Sequence, residues 1–222
     1  MTLPPTRPLP LVFLGAGGHA KVLLSLTQAC GYDIRGVCDP GLAKHGVKQW
    51  RGIEVLGGDD ALEQFAPGSV ELVNGVGQVV GSTLRRLIFE RARDRGFYFP
   101  PLVHPTVWLD GSVVLEEGAQ VMAGVILQPD VIVGCNTVVN TSASVDHDCR
   151  LGAHVHVAPG VTLCGGVDVS VGAFIGSGST VIQGVVIGEG AVVGAGTVVV
   201  RDVPAHGVLV GSSARLRPVS GV

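Results

Sequence analysis

The sequence predicts an α/β unit followed by a parallel β-helix, and three observations carry that prediction. From Val103 to Val199 every sixth residue is Val, Leu or Ile without exception. Four residues after each of these rungs stands a small or β-branched side chain, as at Val125, Thr137, Ala143, Cys149 and Ser179. A helix repeats its apolar residues at three and four and a flat strand at two, so a period of six describes a chain that turns a corner every six residues. The residues before this ladder behave differently: short aliphatic runs alternate with helical stretches across glycine loops, the pattern of a Rossmann-like βαβ unit with a parallel sheet.

Taken in order, residues 1–8 are a proline-rich tail and 9–101 the α/β unit. The run Leu-Pro-Leu-Val-Phe-Leu at 9–14 is a buried strand that leads directly into Gly15-Ala16-Gly17-Gly18-His19-Ala20. A helix over about 19–30 follows, stopped by Gly31, and a strand over 34–38 delivers Asp39 at its tip. A further helix covers about 59–65, and a strand over 70–74 ends in Gly75-Val76-Gly77-Gln78. Residues 82–95 form a basic amphipathic helix with Ser82 as N-cap, Gly96 as stop and its charges on a solvated face. Pro100-Pro101 marks the boundary. The hexads fill 102–203, about five coils if three hexads complete one turn of a solenoid. After Val199 the chain is expected to be irregular, with a tail over 204–222.

Composition narrows the function. Aromatic residues make up 5% and charged residues 15%, beside 34 glycines, a bias that a Val/Ile/Ala core with glycine corners produces. The net charge is −3 and the only basic cluster is the 82–95 helix, so neither nucleic acid nor an anionic membrane is an expected partner. Gly, Asn, Asp and Pro interrupt every long uncharged run before it could span a bilayer. The five cysteines are odd in number and contain no CxxC pair, which favours reduced thiols over a disulfide framework or a zinc site. The first ten residues lack the apolar segment of a signal peptide, so the expected location is cytoplasmic.

Two places carry candidate chemistry. Gly15-Ala16-Gly17-Gly18-His19-Ala20 is a relaxed Gly-x-Gly-x-x-Ala at a strand-to-helix turn. There glycines admit a phosphate close to the backbone, the helix start offers free N–H groups, and an acid such as Asp39 on the next strand can bind ribose or base. The same motif also serves as a plain tight turn, and the absence of Gly-Lys-Ser/Thr excludes a P-loop. Within the ladder, Asp146-His147-Asp148, followed by His154 and His156, breaks the run of Gly, Ser and Asn corners. His147, two residues past rung Val145, points away from the coil axis, where it is either a catalytic base supported by Asp148 or a solvated corner histidine. Asn140-Thr141-Ser142 matches a glycosylation acceptor, discounted for a cytoplasmic chain.

With these motifs in the same order across both units, the chain resembles the bacterial nucleotide-sugar N-acetyltransferases of the PglD type and the related NeuD-type sialic acid O-acetyltransferases. The residues that carry the resemblance are Gly15-Ala16-Gly17-Gly18-His19-Ala20, Asn140-Thr141-Ser142, Asp146-His147-Asp148-Cys149, His154-Val155-His156 and Gly194-Ala195-Gly196, spread from Leu11 to Arg215. The resemblance implies a left-handed β-helix, a homotrimer with active sites between subunits, acetyl-CoA as co-substrate in the groove between adjacent β-helices and no metal. It makes His147 the general base and Asp148, where many relatives carry Glu, the group that tunes it. It places His156 at the thioester, the backbone of Gly165, Ser177 and Ala195 along the pantetheine arm, and Gly17, Gly18, His19, Asp39, Gly77 and Asn140 at the sugar nucleotide. One departure is Ser213, where relatives usually have proline ahead of the residue matching Arg215.

The expected reaction is direct acetyl transfer to the amine of a UDP- or GDP-linked 4-amino-4,6-dideoxy sugar, with a backbone N–H such as that of Gly165 receiving the oxyanion. A sialic acid hydroxyl is the alternative acceptor. Cys149 and Cys164 are possible acyl carriers, although Cys149 falls on an inward position of its hexad. A γ-carbonic-anhydrase-like zinc site on His147, His154 and His156, a non-catalytic sugar-nucleotide sensor and an NAD-binding protein are the remaining readings. The last is weakened because nothing after residue 100 supplies a dehydrogenase domain.

Overall fold

The computed structural model describes residues 9–211; the tail at 1–8 and the positions Ser213 and Arg215 lie outside the described residues. The α/β unit is built on strand β1 (Leu11–Leu14), every residue of which is buried, as its continuous apolar run requires of a central parallel strand. Helix α1 (Gly18–Ala29) follows, and Gly31 at φ +73° closes it in the left-handed cap that the sequence anticipates. Strand β2 (Ile34–Cys38) pairs in parallel with β1, whose other edge pairs with the strand at Glu71–Asn74.

Three elements here were not anticipated. Helix α2 (Pro40–Lys44) starts at Asp39, whose Oδ1 caps the Leu42 N–H at 2.9 Å, with Pro40 in the first helical turn. Strands β3 (Gln49–Trp50) and β4 (Ile53–Gly57) form a hairpin across Arg51 and Gly52, both with positive φ. The segment Asp59–Gln64 is a 3-10 helix rather than an α-helix. With Glu71–Asn74 as β5, the sheet order is β3-β4-β2-β1-β5. The chain therefore reverses direction across the sheet between β1 and β5, the place where open α/β sheets bind ligands.

Helix α3 (Leu84–Asp94) begins later than the sequence suggested: Thr83 is its N-cap, and Ser82 Oγ accepts only the Leu84 N–H at 3.3 Å. Its charged residues are not all solvated, because Arg85 is buried together with Phe89 and Ala92.

From strand β6 (Leu102–Val103) the chain winds through three parallel sheets of seven, six and five two-residue strands. Rungs pair along each sheet with rungs one coil away, as Val145 with Leu163 and Val157 with Ile175. Rungs from Val121 onward and their small partners, including Ala143 and Cys149, fill one continuous core. At the open end of the six-stranded sheet Leu109 is still 42% exposed, because no earlier coil covers it. Past Val199 the coil continues instead of becoming irregular: Val203 bridges to Ile187 and Val208–Leu209 pairs with Val192–Val193.

Corners fall three residues after each rung from Leu115 to Val193, where φ is positive. Glycine occupies most of these positions, but Asp130, Asn136, Ser142, Asp148 and His154 stand there in succession. Left-handed backbone costs a non-glycine residue on the order of 1 kcal/mol, least for Asn and Asp, so apart from His206 in the last coil the strain is gathered in one stretch of the solenoid. The two units meet on the seven-stranded sheet, where Leu102, Met122 and Val138 pack with Ala20, Leu23 and Leu24 of α1.

Candidate active site

At the carboxyl ends of β1 and β5 the two glycine loops touch. A Cβ on Gly75 would stand 2.6 Å from the Gly15 carbonyl oxygen, so no side chain fits at that contact. Gly17 and Gly18 face open space, and Gly77 lies over the His19 side chain. Beside them is a cavity of about 290 Å³ lined among others by Gly15, Asp39, Asp59, Val76, Arg91 and Arg95. The fold thus brings Gly17, Gly18, His19, Asp39 and Gly77 to the carboxyl end of the sheet. Asp39 is committed to the scaffold as well as facing the cavity, since its Oδ2 accepts the Ala16 N–H at 2.9 Å while Oδ1 caps α2. His19 Nε2 lies 2.8 Å from Gln120 Oε1 of the β-helix; burial, with Arg85 nearby, lowers its pKa to about 3, so the ring is neutral.

The second cluster sits at the corner between the six- and five-stranded sheets. Adjacent strand residues face opposite ways, yet His147 Nδ1 lies 2.7 Å from Asp148 Oδ2 because the φ of +60° at Asp148 turns the carboxylate back toward the ring. That contact fixes the proton on Nδ1 and leaves Nε2 with its lone pair. The hydrogen bond to Asp148 and then the charge of Asp146 raise the His147 pKa above its ordinary value. The two side chains are 60% and 65% exposed, open to an incoming group. The ring edge lies on Gly165: a Cβ there would be 2.6 Å from Nε2. The Gly165 N–H has no acceptor among the described residues.

Asn140, Ser177 and Ala195 follow the seven-stranded sheet at the neighbouring corner, and His156 lies on that sheet's outer face. Ser177 and Ala195 occupy the same place in successive coils, with the Gly196 N–H donating to the Ser177 carbonyl at 2.8 Å. Asn140 Oδ1 accepts the Thr141 N–H at 2.8 Å. His156 stacks on Phe174 at 4.9 Å between ring centroids, its buried Nδ1 has no partner among the described residues, and burial lowers its pKa to about 4. One chain therefore places His147, Asp148 and Gly165 at one corner and Asn140, Ser177 and Ala195 at the next, and does not bring the two sets together.

His154 occupies yet another corner, edge-on to Phe89 of α3 and hydrogen-bonded to Asn136 at 3.0 Å. The three histidines compared with a zinc site are thus on separate parts of the prism, and no group of three or more His, Cys, Asp or Glu that could hold a metal occurs among the described residues. Cys149 is buried, donates to the Cys164 carbonyl at 3.2 Å, and is pushed up to about 11 by burial, which suits packing rather than acyl transfer. No helix among the described residues is long and apolar enough to cross a membrane.

A group of residues that the sequence reading missed joins the two units. Arg85 donates to the carbonyls of Asn74 and Val76 and to Gln120 Oε1, and Asn74 Nδ2 donates to Asn136 Oδ1 at 3.1 Å. The signal was present for Arg85, which shares the face of α3 with Phe89 and Ala92 at helical spacing; Gln120 carried none.

Known proteins share this two-unit fold. Residues 10–92 match the family model described as the PglD N-terminal domain. A histidine-to-asparagine variant of perosamine N-acetyltransferase from Caulobacter crescentus, in complex with CoA and GDP-perosamine, is 40% identical over 91% of this chain and 93% of its own, with a TM-score of 0.82. The acetyltransferase domain of PglB from Neisseria gonorrhoeae, in complex with acetyl coenzyme A, is 32% identical over 92% and 97%, with a TM-score of 0.83. WeeI from Acinetobacter baumannii is 25% identical over 93% and 99%, with a TM-score of 0.80. Glycine loops at the sheet's switch point, an acid-flanked histidine on a hexapeptide corner and likeness over the full length of these enzymes converge: the chain belongs to the PglD family of hexapeptide-repeat nucleotide-sugar acetyltransferases.

Proposed function

We propose that the protein transfers the acetyl group of acetyl-CoA to the amine of a UDP- or GDP-linked 4-amino-4,6-dideoxy sugar. The observation that carries this reading is the His147 corner: a raised pKa, a free Nε2 and an unpaired Gly165 N–H meet in one open place. The Caulobacter relative, with CoA and GDP-perosamine bound, supports an amine on a nucleotide-linked sugar as acceptor.

In the proposed reaction His147 Nε2 takes the proton from the amine as its nitrogen attacks the thioester carbonyl. Asp148 stabilises the imidazolium, and the Gly165 N–H meets the oxygen on which negative charge develops. The C–S bond then breaks and the imidazolium gives its proton to the departing sulfur, so CoA leaves as the thiol and His147 is neutral again. Gly176 packs directly on the Gly194–Ala195 backbone of the next coil, which stacks Ser177 and Ala195 at one corner, where their backbone would run along the pantetheine arm. Since that corner and the His147 corner are separate in one chain, the complete site would join the Ser177–Ala195 corner of one copy to the His147 corner of another, as in a homotrimer of parallel β-helices.

A panel of UDP-, GDP- and dTDP-linked 4-amino-4,6-dideoxy sugars with acetyl-CoA, and free sialic acid as control, tests the reading by CoA release. Release with one of the amines is expected, from protein that sediments as a trimer. Release with sialic acid alone contradicts it.

A further inference from the structure

The polar network between the two units is not used by the reaction above, and its centre is a buried cation. Arg85 is 3% exposed, and no carboxylate pairs with it among the described residues. Its Nη1 donates to the carbonyls of Asn74 at 3.0 Å and Val76 at 2.7 Å, and its Nη2 to Gln120 Oε1 at 3.1 Å and, at 3.5 Å, to the Asn136 carbonyl. Burial lowers its pKa to about 9, which leaves it charged at neutral pH. The titratable groups around it, His19, His154 and His156, are all held neutral. A buried charge without a counter-charge is costly, so what the guanidinium faces matters.

Two of its acceptors are the carbonyl of Asn74, the last residue of β5, and that of Val76 in the loop that follows. The peptide bonds are trans, so each N–H points opposite to the carbonyl of its own plane. The peptide between Asn74 and Gly75 aims its carbonyl at Arg85 and its N–H at the Leu14 carbonyl, 2.8 Å away. The peptide between Val76 and Gly77 also aims its carbonyl at Arg85, but its N–H, on exposed Gly77, has no acceptor among the described residues. That N–H is directed away from the guanidinium, on the solvent side of the loop. A cation on the carbonyl polarises the amide and makes its N–H a stronger donor.

The geometry points to Arg85 as a positioning residue for nucleotide binding, which fixes and polarises the Val76–Gly77 peptide so that the Gly77 N–H meets a phosphate oxygen of a nucleoside diphosphate. The diphosphate in turn supplies the negative charge that the buried cation lacks. The inference rests on the reading of these loops as the sugar-nucleotide site.

Calorimetric titration of the full chain with GDP, UDP and dTDP, each beside its nucleoside, tests it. Arg85→Met is expected to weaken the best-bound diphosphate about tenfold, as loss of a charge-assisted hydrogen bond would, and its nucleoside less than twofold. The KM for acetyl-CoA stays unchanged. Gln120→Glu sets a carboxylate against Arg85 while keeping the guanidinium tied in place, and loses the hydrogen bond that Gln120 Nε2 donates to the Asn74 carbonyl at 3.1 Å. It is expected to fold with a melting temperature closer to the wild type than that of Arg85→Met and to weaken the diphosphate several-fold but not the nucleoside, and it decides the matter if Arg85→Met does not fold. Unchanged diphosphate affinity in a folded variant, or equal losses for diphosphate and nucleoside, overturns the inference alone. Wild-type protein that binds none of the three diphosphates overturns the sugar-nucleotide reading and this inference with it.

Discussion

Two regions of this molecule hold histidines in opposite surroundings. At the outer corner of the β-helix, His147 is open to solvent, set between Asp146 and Asp148, and its pKa is raised. At the junction of the two units, His19, His154 and His156 are sheltered near Arg85, and their pKa values fall to about 3, 4 and 4. Burial is the first cause at the junction, and hydrogen bonding to a carboxylate is the first cause at the corner. The same side chain is thus a proton acceptor near neutral pH in one place and a permanently neutral hydrogen-bonding group in the other. Sequence proximity says little about which, since His147 and His154 share one short stretch of the ladder.

The strongest way to break this contrast is to remove the open histidine. His147→Ala is expected to lower kcat/KM by roughly 10²–10⁴, the usual worth of a positioned base, without changing the melting temperature, because the side chain is exposed. Steady-state kinetics beside a thermal melt checks both halves. A smaller effect is expected from Gly165→Ala, whose Cβ would press on His147 Nε2 although its backbone conformation admits alanine. A displaced base should reduce kcat by about tenfold to a hundredfold, with KM for both substrates little altered.

The junction histidines sharpen the comparison through stability. Their folded pKa values lie below 6.5, so the unfolded chain binds protons first as pH falls. Their contribution is complete above about pH 6.5 and is lost as pH falls toward 4. For each of His19 and His156 the slope is at most about 1.4 kcal/mol per pH unit. The melting temperature is expected to fall between pH 6.5 and 4.5, and a flat profile would show that these rings are not held neutral.

Much of the β-helix was legible because its period is strict and every rung reports the same inward environment. Counting in whole coils would also have separated the two corner sets, since His147 and Gly165 are one coil apart whereas His147 and Ser177 are not. The α/β unit was less legible. Helix α2 and the β3–β4 hairpin are too short to leave a periodic trace, although Asp39-Pro40 and Arg51-Gly52 are local signals for a helix start and a turn. In the sequence Arg85 reads as a solvated charge despite sharing a helix face with Phe89 and Ala92, because its acceptors are main-chain oxygens and a glutamine from distant segments, which composition does not reveal. The pairing of His147 with Asp148 depended on a positive φ at a non-glycine corner, and only the coil's geometry shows it.

The central claim is that His147, held and tuned by Asp148, is the group that takes the proton. The pH dependence of kcat/KM, measured for the wild type and for Asp148→Asn, tests it most directly, since asparagine tolerates the same corner backbone but carries no charge. Activity needs the neutral imidazole, so it is lost as pH falls through the His147 pKa, and the wild-type acid limb should lie above 6.5. In Asp148→Asn that limb should move to lower pH with a reduced plateau. An acid limb that stays where it was, or one that lies near pH 4 with the junction histidines, would contradict the account.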